Sequence, residues 1–105
     1  MPRRILAIDD CRECAYAAVL ARTYHDGIRA LKFFPKWDEL HLDHDLCAVE
    51  HQSTESGKEL TGYDVLCWLE ENSEYLPKKI KLLTDNPSGR VKMEMVLKKL
   101  YPERT

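Results

Sequence analysis

No apolar run in this 105-residue chain approaches the roughly 20 residues that a membrane-spanning helix needs. The start, Met1-Pro2-Arg3-Arg4-Ile5, has two basic residues but no apolar stretch of signal-peptide length. Net charge is also small: 16 Lys+Arg stand against 18 Asp+Glu, for a balance of -2. That is too close to neutral for nucleic-acid or membrane binding driven by overall charge. There is no internal repeat, no low-complexity tract and no linker able to separate two domains. The four cysteines accompany no export signal, so reduced thiols or metal ligands are expected rather than disulfides. What is present suits one small cytoplasmic domain over residues 1–105. With 44% hydrophobic residues, a chain of this length can bury roughly 60–65% of its unfolded surface without staples.

Charge is unevenly spread. Asp9 to Asp64 holds 12 acidic and 6 basic residues, whereas Pro77 to Thr105 holds 8 basic and 3 acidic. Three short apolar runs stand out: Ile5-Leu6-Ala7-Ile8, Leu40-His41-Leu42 and Ile80-Lys81-Leu82-Leu83. Runs of this kind read as strands covered on both faces. Each stops abruptly at oxygen-bearing residues: Asp9-Asp10, Asp43-His44-Asp45 and Thr84-Asp85-Asn86.

Helical patterns lie between the runs. Thr23 can cap a helix with Tyr24, Ile28, Leu31 and Phe34 at three-to-four spacing. Thr61 can cap a second, with Val65, Trp68 and Leu69 inward and Glu70-Glu71 outward. Ser88 can cap a third, with Met93, Val96, Leu97 and Leu100 inward and Lys92, Lys98 and Lys99 outward. Alternating strands and helices imply βαβ units and a parallel sheet. A further strand is placed at about Ala17–Arg22, which leaves Cys11–Tyr16 short for a full crossover helix. Leu46–Leu60 reads as a polar loop of unusual length, of the kind used for lids or binding, or left disordered.

In a parallel α/β sheet, ligands sit beyond the carboxyl ends of the strands. Carboxylates converging there repel one another and need a cation, a shared proton or both. A hard divalent ion such as Mg²⁺ or Mn²⁺ prefers such oxygens. For any one of these aspartates, capping a helix or facing water is the simpler reading; three strand ends together favour a site. Thr84 adds a hydroxyl, and Ser88-Gly89 open a helix whose free N–H groups attract anions. Arg90 either grips phosphate oxygens there or stays a solvated surface charge.

The pair Asp9-Asp10, with Asp43 and Thr84, resembles the response-regulator receiver domain. In that family the pair and the third Asp hold Mg²⁺, and the third Asp accepts phosphate. The resemblance is closer to the cyclic-phosphate processing receiver domain: Ile8-Asp9-Asp10 with Arg12, Leu42-Asp43-His44-Asp45-Leu46, Thr61-Gly62-Tyr63-Asp64, and Thr84-Asp85-Asn86-Pro87 with Gly89 and Met93. It implies a small receiver-like (flavodoxin-like) three-layer α/β domain. Its parallel sheet would have about four strands in the order 2-1-3-4, with the first helix reduced. The last βα unit, with the receivers' catalytic Lys, would be missing. Leu83 stands where the family often places a His before the Ser/Thr.

The resemblance further implies hydrolysis of a cyclic phosphate on a nucleotide or an RNA end. Asp9, Asp10 and Asp43 would hold the divalent cation; Arg12, Thr84, Asn86, Ser88 and Arg90 would hold phosphate oxygens. His44, with Asp43 and Asp45, would do the acid–base work. Strict strand alternation puts Asp43 and Asp45 on one face and His44 on the other, so His44 reaches the site only if the chain already turns there. The other readings of His44 are packing or support of a neighbour. Two alternatives for the whole chain are a silent module binding a phosphorylated nucleotide and a receiver phosphorylated on Asp43. The cysteines offer a rival: Cys11, Cys14, Cys47 and His51 could form a structural Zn site. Cys67 reads as a core filler, His25 and His41 are assigned no role, and Lys98 and Lys99 are too few to mark an RNA path.

Overall fold

A computed structural model describes residues 4–9, 16–34, 37–44, 60–84 and 86–102. Four strands, β1 (Ile5–Ile8), β2 (Val19–Ala21), β3 (Glu39–Leu42) and β4 (Lys79–Leu82), form one sheet in the order β2-β1-β3-β4. All neighbours are parallel, as the alternation of strands and helices predicts. Three helices, α1 (Tyr24–Phe33), α2 (Gly62–Glu71) and α3 (Pro87–Leu100), connect or follow the strands. No described helix is long and apolar enough to cross a membrane.

Register divides the sheet into two unlike faces. Leu6, Leu40 and Ile80 are partners across three strands, and so are Ile8, Leu42 and Leu82. These side chains join Ile28 and Leu31 of α1, Val65, Leu66 and Leu69 of α2, and Met93 and Val96 of α3 in one core. The described helices therefore line a single face. The opposite face carries Ile5, Ala7, Glu39, His41, Lys79 and Lys81. There, buried His41 holds a chain of bonds: Nδ1 pairs with the Tyr16 hydroxyl at 2.7 Å, and Nε2 with Glu39 Oε1 at 2.9 Å. The sequence reading had passed over this histidine, although the alternation of Glu39 and His41 between leucines marks a polar face.

Helix starts follow local chemistry. Thr23 Oγ1 accepts the Asp26 N–H at 3.0 Å. At α2, Thr61 and Asp64 form a capping box, in which the Asp64 carboxylate accepts the Thr61 N–H at 2.8 Å. The cap of α3 differs from expectation. It is Asn86, not Ser88; Asn86 Oδ1 accepts the Gly89 N–H at 3.1 Å, and Pro87 takes the first helical turn. Proline's fixed φ and missing N–H suit that place, so the helix begins one residue before Ser88. Cys67 is only half-buried. Trp68 is likewise half-buried and stacks on Tyr75 with ring centroids 5.5 Å apart.

Candidate functional site

The ladder sets the geometry of the rim. Beyond the last paired residues, the Asp9 N–H donates to Ala21 O, the Asp43 N–H to Ile8 O and the Leu83 N–H to Leu42 O, all at 2.9–3.0 Å. Asp9, Asp43 and Leu83-Thr84 thus occupy adjoining strand ends, spaced by roughly 4.8 Å per strand. Asp9 is fully buried, and Asp43 and Thr84 are buried too. Burial of two carboxylates on adjoining strands is costly unless positive charge or hydrogen bonds offset it.

Three positively charged or dipolar features lie on the segments that follow these strand ends. The N-termini of α1, α2 and α3 all follow strand carboxyl ends in the chain, so their positive dipole ends collect here. Arg22, which the sequence reading overlooked, donates from Nη1 to the Asp9 carbonyl at 3.3 Å. Arg90, in the first turn of α3, has a buried Nη1 with no hydrogen-bond partner among the described residues. A buried guanidinium donor without a partner costs free energy and is available to an anion.

His44 reaches the rim because the strand ends at Leu42, so alternation no longer governs its direction. The Asp43 side chain accepts the His44 N–H at 2.8 Å, which turns the chain. The His44 carbonyl then accepts the Gly62 N–H at 2.8 Å, tying the turn to the start of α2. A Cβ on Gly62 would fall 1.9 Å from the Asp43 carbonyl oxygen, so only glycine admits this approach. The imidazole lies against the start of α3: a Cβ on Gly89 would sit 2.7 Å from His44 Cδ2 and 3.0 Å from Nε2. Asp43, His44 and the mouth of α3 are therefore brought together.

Other expected residues are placed as follows. Thr84 Oγ1 accepts the Asn86 N–H at 3.0 Å, shaping the entry to α3. The Asn86 side chain caps that helix, and Ser88, exposed, donates its hydroxyl to Asn86 Oδ1 at 3.1 Å. Tyr63, next to Gly62, has its hydroxyl pKa raised, first by a hydrogen bond to Cys67. Lys92 lies 4.7 Å over its ring. Asp10, Arg12 and Asp45 lie outside the described residues, as do Cys11, Cys14, Cys47 and His51 and all of the 46–60 loop except Leu60.

Among the described residues no three His, Cys, Asp or Glu side chains gather closely enough to hold a metal ion. The donor chemistry nevertheless fits Mg²⁺, which is often held by one or two carboxylates with water and phosphate completing the shell. Asp9 and Asp43 are two such carboxylates.

The cyclic-phosphate processing receiver domain family matches residues 4–99, nearly the whole chain. The chain belongs to that family. The match covers all four strands, α1, α2 and α3 up to Lys99, with the Asp9, Asp43–His44 and Thr84–Arg90 segments. No curated protein and no solved structure matches the chain.

Proposed function

We propose that this receiver domain is a metal-assisted phosphodiesterase that opens a cyclic phosphate on a nucleotide or an RNA end. The observation that carries the reading is the pairing of His44 with the mouth of α3, where buried Arg90 Nη1 has no described partner. An anion seated there meets a titratable imidazole on one side and the carboxylates of Asp9 and Asp43 on the other. A divalent cation, when bound, supplies Lewis-acid polarisation of the phosphoryl oxygens. Asp9 and Asp43, with Asp10, are the residues assigned to hold it.

The chain's own groups do the rest. Arg90 and the positive end of the α3 dipole orient the phosphate oxygens; Arg12, Thr84, Asn86 and Ser88 are assigned to the same task. His44 moves the proton, either to the departing ribose oxygen or from the attacking water, and the Asp43 contact to its backbone fixes its position. Asp45 is assigned to orient the imidazole.

A second reading has one observation in its favour. Leu83 is half-buried, its N–H occupied by Leu42 O, and it brings no acid–base group to the last strand end. Under this reading the domain binds a phosphorylated nucleotide without turning it over. Incubation with 2′,3′-cyclic nucleotides and Mg²⁺ or Mn²⁺ separates the two. Turnover is expected in the wild type, and His44→Ala should lower it by about 10²–10⁴-fold while ligand binding persists. Binding without turnover would establish the silent module; turnover untouched by His44→Ala would remove His44 from the mechanism.

A further inference from the structure

At the amino ends of the strands, opposite the phosphate rim, the surface changes character. The start of β2 and the end of α1 enclose an open groove of about 490 Å³, walled by Val19, Phe33, Phe34 and Trp37 and flanked by Arg4 and Arg29. Phe33 is 86% exposed and Val19 42% exposed, which is costly for side chains of this size. The Arg4 guanidinium lies over Phe34, 4.2 Å from the ring centroid, so its charge is held against the apolar wall. Arg29 contacts Asp26 at 3.5 Å, but both side chains are well exposed and such a pair contributes little.

We propose that this groove docks an acidic, apolar peptide segment of another protein. Its aromatic or branched side chains cover Phe33 and Val19, and its flanking carboxylates pair with Arg4 and Arg29. Charge complementarity selects this occupant: among the described residues that line the groove, the charged side chains are two guanidinium groups, the groups best shaped to take carboxylates in pairs. A small ligand filling the groove would leave the outer face of Phe33 in water, whereas a protein surface extends over it. The groove and the phosphate rim lie at opposite ends of the strands, so either can fail without the other.

The probe is a fluorescent amphipathic peptide of roughly 12 residues with Leu and Phe at helical spacing and Glu or Asp elsewhere. Controls carry Lys for every acid, or Ser for every apolar residue. Saturable binding is expected from the acidic peptide alone, weakening with salt. Phe33→Ser and Arg29→Glu, both at exposed positions, should each weaken it by about tenfold or more. Thermal unfolding checks that both variants fold, and their cyclic-nucleotide turnover or binding should match wild type. No saturable binding up to about 1 mM overturns the proposal, as does equal binding of the basic control or indifference to both substitutions. A dimer in sedimentation that Phe33→Ser dissolves would assign the groove to a second copy instead.

Discussion

The two ends of the sheet are built from the same ladder yet have opposite chemistry. At the carboxyl end, Asp9, Asp43 and Thr84 are buried among helix starts, and glycines at 62 and 89 let backbone and imidazole come close. At the amino end, aromatic and backbone contacts dominate. Trp37 is buried and donates its indole N–H to Ala30 O at 3.0 Å, and the Tyr101 hydroxyl donates to Pro77 O. Asp38 bridges the Arg4 N–H at 2.8 Å and Lys78 at 3.3 Å. Parallel strands with helical crossovers force this segregation, because every helix N-terminus falls at one end and every C-terminus at the other. The end holding the positive poles of the helices can pair with anions. The other end carries contacts that hold the fold together and, beside them, the groove walled by Phe33.

Substitutions at each end probe that division. Trp37→Ala should have the largest effect, about 3–5 kcal/mol in denaturant unfolding, with ligand binding at the rim retained wherever the protein stays folded. Loss of rim binding in the folded protein would break the division. Gly62→Ala should cost about 1–3 kcal/mol and also weaken rim binding, because the added methyl displaces Asp43 or α2; titration calorimetry on the folded variant reads the second effect. Asn86→Ala should cost about 1 kcal/mol through the lost cap of α3, measured by the shift in urea midpoint.

The smallest effect belongs to Asp38. Its pKa is lowered, first by the Arg4 N–H and then by Lys78. A carboxyl depressed in the folded state stabilises above its unfolded pKa, near 3.9, and loses that contribution as pH falls through the folded value. Asp38→Asn should therefore lower the urea midpoint slightly at pH 7 and leave it less sensitive to acid than wild type. An unchanged acid dependence would remove Asp38 from the amino-end scaffold.

Much of this was readable in the chain. Ile5–Ile8, Leu40–Leu42 and Ile80–Leu83 announced strands, with bounds within one residue of those found, and Thr23 and Thr61 marked helix starts. Even the short second strand, placed at about Ala17–Arg22, is found at Val19–Ala21. The cap of α3 was misplaced although Asn86-Pro87 carried the signal, since an Asx cap with Pro following is a common helix opening. The position of His44 was not readable, because alternation predicts a face only while the strand lasts. Nor was the Tyr16–His41–Glu39 network, whose hydroxyl and imidazole lie 25 residues apart in the chain.

Local order in this protein follows from neighbours along the chain. Apolar runs, polar stops and capping residues act over three or four positions, so element types and most boundaries are written into short segments. The approach of Asp9, Asp43 and His44 to the start of α3 is of another kind. It depends on strand register and on two close approaches at Gly62 and Gly89, and these arise only when distant segments pack. The groove beside Phe33 likewise exists only once α1 lies against β2. Propensity is local, whereas convergence must be set by the ladder and the core that hold remote residues at fixed spacing.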